Sequence, residues 1–167
     1  MIYILVGPDA TGKTTYAKKL SENTGFPIIK MDKPKTQEEK DNMFNDYLKM
    51  FVDHDNFIMD RSFICEQVYG PLFRGKSYIS DVQLALLDSI LSWKGATIIH
   101  FTDDVDAIME RFNVTGEDFV TTREQVKHIV NEYFEVLKYI HHVPVVTINV
   151  FKQQAEAIEE EIQKRRR

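Results

Sequence analysis

The sequence predicts a three-layer α/β/α sandwich on a five-stranded parallel sheet, and three observations predict it. Five short runs rich in Ile, Val and Phe recur between longer segments whose apolar residues fall at helical spacing. Those runs lack polar alternation, which is what strands covered on both faces require. The first run leads at once into a complete G-x-x-x-x-G-K-[ST] phosphate loop and then into a helix-compatible stretch, the strand–loop–helix order that gives the motif its meaning. Right-handed crossovers between the strands follow from their twist. At 167 residues and 43% hydrophobic content the chain suffices for one core, so a single domain, 1–167, has to hold every site.

The first strand is Ile2 to Val6, followed by Gly7-Pro8-Asp9-Ala10-Thr11-Gly12-Lys13-Thr14. Glycines let this loop curl with its N–H groups turned toward phosphate oxygens. Lys13 reaches the β and γ phosphates, and the Thr14 hydroxyl ligates Mg²⁺. The helix that runs on through Thr15 and Tyr16 adds its positive N-terminal dipole. Gly7, Asp9, Ala10, Thr11, Gly12, Lys13, Thr14 and Thr15 are therefore the expected binding residues for ATP.

The second strand, Pro27 to Met31, ends in Lys30-Met31-Asp32-Lys33-Pro34. A helix over 36–53 follows, with Met43, Phe44, Tyr47, Leu48 and Phe51 at helical spacing. Phe57 to Met59 is the third strand and stops at Asp60-Arg61-Ser62. The stretch Gly70-Pro71-Leu72-Phe73-Arg74-Gly75-Lys76 reads as turn-rich, carrying two cations. A helix over 80–93 places Val82, Leu84, Ala85, Leu87, Leu91 and Trp93 mostly toward a core. Ala96 to Phe101 is the fourth strand and Val143 to Ile148 the fifth, with helices over 103–112 and 122–140 between them. Asn113 to Asp118 is the best candidate for a mobile loop. A last helix, 152–165, ends in Lys164-Arg165-Arg166-Arg167, cations that complement a helix C-terminus.

A net charge of −5 argues against broad electrostatic binding of nucleic acid, although a local basic groove stays open. No apolar stretch approaches the roughly 18 residues of a membrane span, and no charged-then-apolar leader opens the chain, so a cytoplasmic protein without a membrane partner is expected. The single Cys65 allows no internal disulfide and no cysteine metal cluster.

In an open parallel sheet, ligands bind beyond the carboxyl ends of the strands, so the polar residues that stop each strand are the first suspects for chemistry. Asp60, directly after a buried strand and near a phosphate loop, is a group that holds Mg²⁺ through water, as well as a candidate helix N-cap. Arg61 beside it sets an anion-neutralising guanidinium next to a metal-orienting carboxylate, the pairing that the acceptor side of phosphoryl transfer needs. Thr14 and Asp60 are thus the expected metal residues.

These residues carry a resemblance to the thymidylate kinase and deoxynucleoside kinase superfamily of P-loop kinases. The acidic third position of the loop, Asp9, resembles thymidylate kinase loops. The run Asp60-Arg61-Ser62-Phe63-Ile64-Cys65-Glu66-Gln67-Val68-Tyr69 resembles the pattern D-R-[YH]-x-x-S-x-x-A-Y, and its Arg-Ser resembles the E-R-S of deoxynucleoside kinases. Arg111 followed by Gly116-Glu117-Asp118 is similar to the start of a lid, here short, around 111–121. The compact size is similar to virus-encoded members, for which the compartment is the host cytoplasm.

The resemblance implies a fold of the nucleoside monophosphate kinase type, ATP and Mg²⁺, and roles residue by residue. Asp9 hydrogen-bonds the acceptor's sugar hydroxyl. Asp32 falls where deoxynucleoside kinases carry a basic-acting Glu, with Pro34 one residue late for the thymidylate kinase run. Arg61 clamps the acceptor phosphate or 5′ oxygen, and Arg111 stabilises the transferring phosphoryl group with Lys13. Glu66 lies where an acidic residue reads the base, Tyr69 with Phe73 and Phe44 walls it, and Arg74 adds charge on the acceptor side. Asp9, Asp32, Arg61, Glu66, Tyr69 and Arg74 form the expected substrate set.

Three positions depart from the pattern: Ala10 replaces a loop arginine, which leaves the lid's Arg111 and Arg123 to supply the charge, Cys65 replaces a serine, and Gly70 replaces a glutamine. The expected activity is Mg-dependent transfer of the γ-phosphoryl group of ATP to a deoxynucleoside monophosphate, a pyrimidine such as dTMP. A nucleoside acceptor with Asp32 as base, a base hydroxyl within DNA, and a non-kinase nucleotide switch are the competing readings. Members of the family are often dimers through helices on one sheet face, and the apolar helices over 36–53 and 80–93 suit either such a face or core.

Overall fold

Strands and helices alternate in chain order as β1 (Ile2–Val6), α1 (Lys13–Thr24), β2 (Ile28–Lys30), α2 (Gln37–Asp53), β3 (Phe57–Asp60), α3 (Phe63–Arg74), α4 (Asp81–Trp93), β4 (Ala96–Thr102), α5 (Val105–Thr115), α6 (Arg123–Leu137) and β5 (Val145–Asn149). The computed structural model describes residues 1–31, 34–115, 120 and 122–150. All strand pairings are parallel, in the order β2-β3-β1-β4-β5. The chain leaves β1 for one side of the sheet, builds β2 and β3 there, then crosses to β4 and β5 on the other. That reversal opens a crevice beyond the C-terminal end of β1, where the phosphate loop begins.

Alternation along β1 splits the core in two. Ile2, Ile4 and Val6 enter the larger cluster with Phe51, Phe63, Leu87 and Tyr133, whereas Tyr3 and Leu5 enter a smaller one with Tyr16, Ala17 and Leu20 of α1. Helices thus cover both faces of the sheet, and the expected three-layer α/β arrangement is present.

Capping boxes fix three helix starts. The Thr36, Ser80 and Thr122 side chains accept from the backbone N–H of Glu39, Gln83 and Gln125, whose side chains reach back to the cap N–H. The expected starts at 36, 80 and 122 are therefore caps, and each helix proper begins one residue later.

Elsewhere the boundaries moved for identifiable reasons. The stretch 70–74, read as turn-rich, is the last part of α3, with Pro71 inside the helix. The helix stops where Gly75 adopts the left-handed conformation (φ 74°) and donates to the Pro71 carbonyl at 3.1 Å. α5 begins at Val105 rather than 103 and continues to Thr115, taking in the first part of the expected loop. Residues 116–119 and 121 of the expected lid lie outside the described residues, as do Asp32 and the expected final helix with its basic end.

On α4 the inward stripe is Leu84, Leu87, Asp88 and Leu91, while Val82 (80% exposed) and Trp93 (85%), expected to face the core with Ala85, point outward. Asp88 stands in that stripe because both its oxygens are occupied: it accepts the backbone N–H groups of His141, His142 and Val143 at 2.9, 3.0 and 3.0 Å. α6 ends at Leu137 rather than 140 because Lys138, Tyr139 and Ile140 donate three residues back, to Glu135, Val136 and Leu137, and with the next three N–H groups committed to Asp88, β5 begins at Val145 rather than 143. Among the described residues no helix is long and apolar enough to cross a membrane.

Candidate functional site

The loop after β1 is shaped by close approach. A Cβ at Gly7 (φ 135°) would stand 2.1 Å from the Phe101 carbonyl oxygen of β4, so only glycine lets the chain turn there. Ala10 (φ 60°) and Gly12 (φ 83°) then take left-handed conformations, and Gly12 caps α1. Thr11, buried, braces the loop by donating to the Pro8 carbonyl at 2.7 Å. Lys13 is 6% exposed; its ammonium donates to the same carbonyl at 2.5 Å and lies 4.0 Å from Asp9 Oδ1. Burial lowers its pKa from the ordinary lysine value, with the Asp9 carboxylate opposing that shift.

Sheet register brings together Asp60 and Thr14, the two residues expected to hold a metal. Asp60 ends β3 directly opposite Leu5, two residues short of the loop, and Thr14 Oγ1 donates to Asp60 Oδ2 at 2.8 Å. The described residues hold no group of three or more His, Cys, Asp or Glu that would cage a metal. One hydroxyl beside one carboxylate is instead a hard oxygen pair that fits Mg²⁺, an ion that keeps several waters and binds through one or two carboxylates plus phosphate oxygens.

Arg61 is a non-glycine residue at φ 72°, and Ser62 after it caps α3. This kink turns the guanidinium back over the loop, where Nη2 donates to Asp9 Oδ1 at 3.1 Å. Asp9 therefore faces two cations, Lys13 and Arg61.

Two cavities meet at these three residues. The smaller, about 230 Å³, is bordered by Ala10, Gly12, Thr14, Thr15, Lys30 and Asp60. The larger, about 680 Å³, draws its walls from Tyr47 of α2, Glu66, Tyr69, Phe73 and Arg74 of α3, and Tyr133 of α6. Asp9, Lys13 and Arg61 line both. Tyr69 and Phe73 lie nearly parallel, ring centroids 5.9 Å apart and planes at 11°, and Tyr133 meets Tyr69 edge-on at 6.2 Å. Phe44, grouped with them on sequence, packs against the core instead.

Glu66 lines the larger cavity, but both its oxygens serve the protein: Oε2 accepts from Arg74 Nη2, and Oε1 accepts the Tyr78 backbone N–H at 3.1 Å. Gly70 makes the room, since a Cβ there would stand 2.6 Å from Glu66 Oε1 and 2.8 Å from the Lys76 carbonyl. The group that Glu66 sets on the cavity wall is thus a guanidinium, which can only donate.

Arg111 sits in α5 and reaches the loop from the side. Its Nη1 donates to the Ala10 carbonyl at 2.6 Å, and its Nη2 pairs with Asp103. Arg123, the other cation expected on a lid, opens α6 and pairs with exposed Asp106 at 2.7 Å. Asp103, Tyr133 and His100 were missed on sequence. The signal for His100 is an ionisable side chain in a strand that otherwise holds only apolar residues and threonine; it is fully buried on β4, stacked on Tyr133 with centroids 5.8 Å apart. Burial, with Lys13 adding to it, lowers the His100 pKa to about 4.

The model of the ATPase family associated with various cellular activities (AAA) matches residues 3–165, and the chain belongs to that family. The SPbeta prophage-derived protein YorR of Bacillus subtilis (strain 168) is 28% identical over 136 residues, 81% of each chain. The crystal structure of YorR in complex with phosphorylated GDP has a TM-score of 0.82 to this chain at 26% identity, covering 97% of this chain and 93% of that one. Deoxyadenosine kinase from M. mycoides, with dCMP and a flexible dCDP bound as products, matches at TM-score 0.63 and 14% identity over 98% and 100% of the two chains. Shikimate kinase from Bacteroides thetaiotaomicron matches at 0.61 and 12% over 98% and 97%. The expected P-loop fold of the kinase type is thereby shown.

Proposed function

We propose that this member of the ATPase family is a kinase that moves the γ-phosphoryl group of ATP to a deoxynucleoside monophosphate, with dTMP the leading acceptor. The observation that carries the reading is the meeting of two cavities at Asp9, Lys13 and Arg61. A donor phosphate chain in the loop and an acceptor in the aromatic cavity then present their reacting oxygens to the same two cations. The bond from the γ phosphorus to the β–γ bridging oxygen breaks, a bond to an acceptor phosphate oxygen forms, and ADP leaves with the bridging oxygen's charge.

Lys13 and Arg61 offset the charge that spreads over the transferring group and hold the two oxygens in line. Asp9 keeps both cations oriented, and Tyr69 and Phe73 offer the base an aromatic wall. Thr14 and Asp60 would hold Mg²⁺, which when bound neutralises phosphate charge. A donor-only Arg74 fits a base that presents a carbonyl, as thymine does. Guanine also presents one, and the phosphorylated GDP bound by YorR favours dGMP as the second acceptor to try. We place the dimer that the family resemblance implies at the outward α4 side chains Val82, Leu86 and Trp93; Trp93→Glu would then sediment as a monomer.

A coupled ADP-release screen with ATP and Mg²⁺ tests the activity against the deoxynucleosides, their 5′-monophosphates and single-stranded DNA. Turnover on dTMP or dGMP is expected. Turnover on nucleosides alone, or on DNA alone, overturns the monophosphate reading, and silence on every acceptor with ATP hydrolysis intact overturns the kinase.

A further inference from the structure

We infer that Asp103 is a positioning residue of the nucleotide site, acting through Arg111 to hold the phosphate loop from its outer side. Ala10 is a non-glycine residue at φ 60°, a conformation that needs support from its surroundings. Arg111 supplies that support by taking the Ala10 carbonyl at 2.6 Å across 101 residues of sequence. In a trans peptide the C=O and N–H point opposite ways, so fixing this carbonyl on Arg111 turns the Thr11 N–H to the other side. Ala10 and Gly12 both border the smaller cavity, so the peptide being oriented belongs to its wall. A carbonyl turned into that cavity would repel a phosphate oxygen; one held outward by a guanidinium does not.

Arg111 is itself held. Asp103 has a side chain with 0% exposure; Oδ2 takes Arg111 Nη2, and Oδ1 accepts the Asp104 backbone N–H at 2.8 Å. The carboxylate follows β4 directly, and β4 pairs with β1, the strand that carries the loop, through Val6 opposite His100. The anchor and the loop therefore hang from adjacent strands of one sheet, and the guanidinium bridges them. A buried carboxylate with an arginine as partner is strongly oriented, and removing its charge frees the arginine to turn. This role differs from that of an arginine carried onto the transferring phosphoryl group, because two of its donors face Asp103 and the loop's own carbonyl.

The inference rests on nucleotide binding at the loop and holds whichever acceptor is used. Its test is the affinity of the full-length protein for Mg·ADP and, separately, for dTMP, measured by titration calorimetry on Asp103→Asn, Arg111→Lys and the double variant. Each single change is expected to weaken ADP by about tenfold or more, the effect of a lost charge-assisted hydrogen bond. The double variant should be no worse than the weaker single, since both act on one bridge, and dTMP affinity should stay within about twofold of the unaltered chain on the same additivity grounds. Arg111→Lys keeps the charge and cannot span both acceptors, so it decides the matter alone if Asp103→Asn fails to fold. Unchanged ADP affinity with lowered turnover would assign Arg111 to the transferring group and overturn the inference, as would ADP and dTMP affinities falling together.

Discussion

The two cavities that meet at Lys13 are built in opposite ways. Six of the nine residues bordering the smaller one fall between Asp9 and Thr15, so one loop makes most of it from consecutive residues. The larger one gathers side chains from α2, α3 and α6, as far along the chain as Tyr133. A site made of consecutive backbone is written in local sequence, because spacing and glycine placement are its geometry. A site made of converging side chains exists only after the helices have packed.

Changes at the shared residues should break this division most. Lys13→Ala removes the cation common to both cavities and is expected to lower turnover by about 10²-fold or more in the ADP-release assay; a loss under about tenfold would leave Lys13 outside the chemistry. Arg61→Ala is expected to raise the acceptor KM by about tenfold or more while Mg·ADP affinity changes far less, because Lys13 and the loop's own N–H groups still hold the donor phosphates. Equal losses for donor and acceptor would erase the distinction between the two cavities at that residue.

Gly70→Ala reaches the larger cavity alone. The new methyl would meet Glu66 Oε1, displace it, and free Arg74 from the wall. Acceptor affinity is expected to fall about tenfold and stability by about 1–3 kcal/mol, with ADP affinity intact. An acceptor isotherm identical to that of the parent would remove Arg74 from substrate recognition.

His100→Phe should have the smallest effect on the two cavities, leaving ADP and acceptor affinity unchanged at neutral pH and acting only on stability in acid. His100 has a folded pKa of about 4 against an ordinary value of 6.5, so below pH 6.5 the unfolded chain takes up the proton first and stability drains away until about pH 4. The full loss, reached below about pH 4, is about 3 kcal/mol; about 2 kcal/mol of it separates pH 8 from pH 5, and His100→Phe should be spared that difference in urea titrations at the two pH values. Parallel pH dependence of the two proteins would mean that the histidine is not the group that titrates.

The fold and the smaller cavity were legible for the same reason. Ile2 to Val6 and the loop after it carry their structure in apolar continuity and glycine spacing, and apolar spacing puts three helix starts, at 36, 80 and 122, within a residue of those the capping boxes set. α3 was less legible because Gly70 and Pro71, which ordinarily signal turns, sit inside it. Gly70 is there for Glu66, which no local rule can show. Asp88 set the entry to β5 from 53 residues away. Tyr133 and Asp103 joined the site only through helix packing and strand pairing.

A single ligand can ask whether the two cavities form one reaction path. A compound in which adenosine and thymidine are joined 5′ to 5′ through a chain of phosphates would place its ends in the two cavities and its phosphates across Lys13 and Arg61. Calorimetric titration should give one molecule per chain, bound about 10²-fold or more tighter than either ADP or dTMP alone. Binding no tighter than ADP would mean that the two cavities are not joined across Lys13, and would contradict transfer between them.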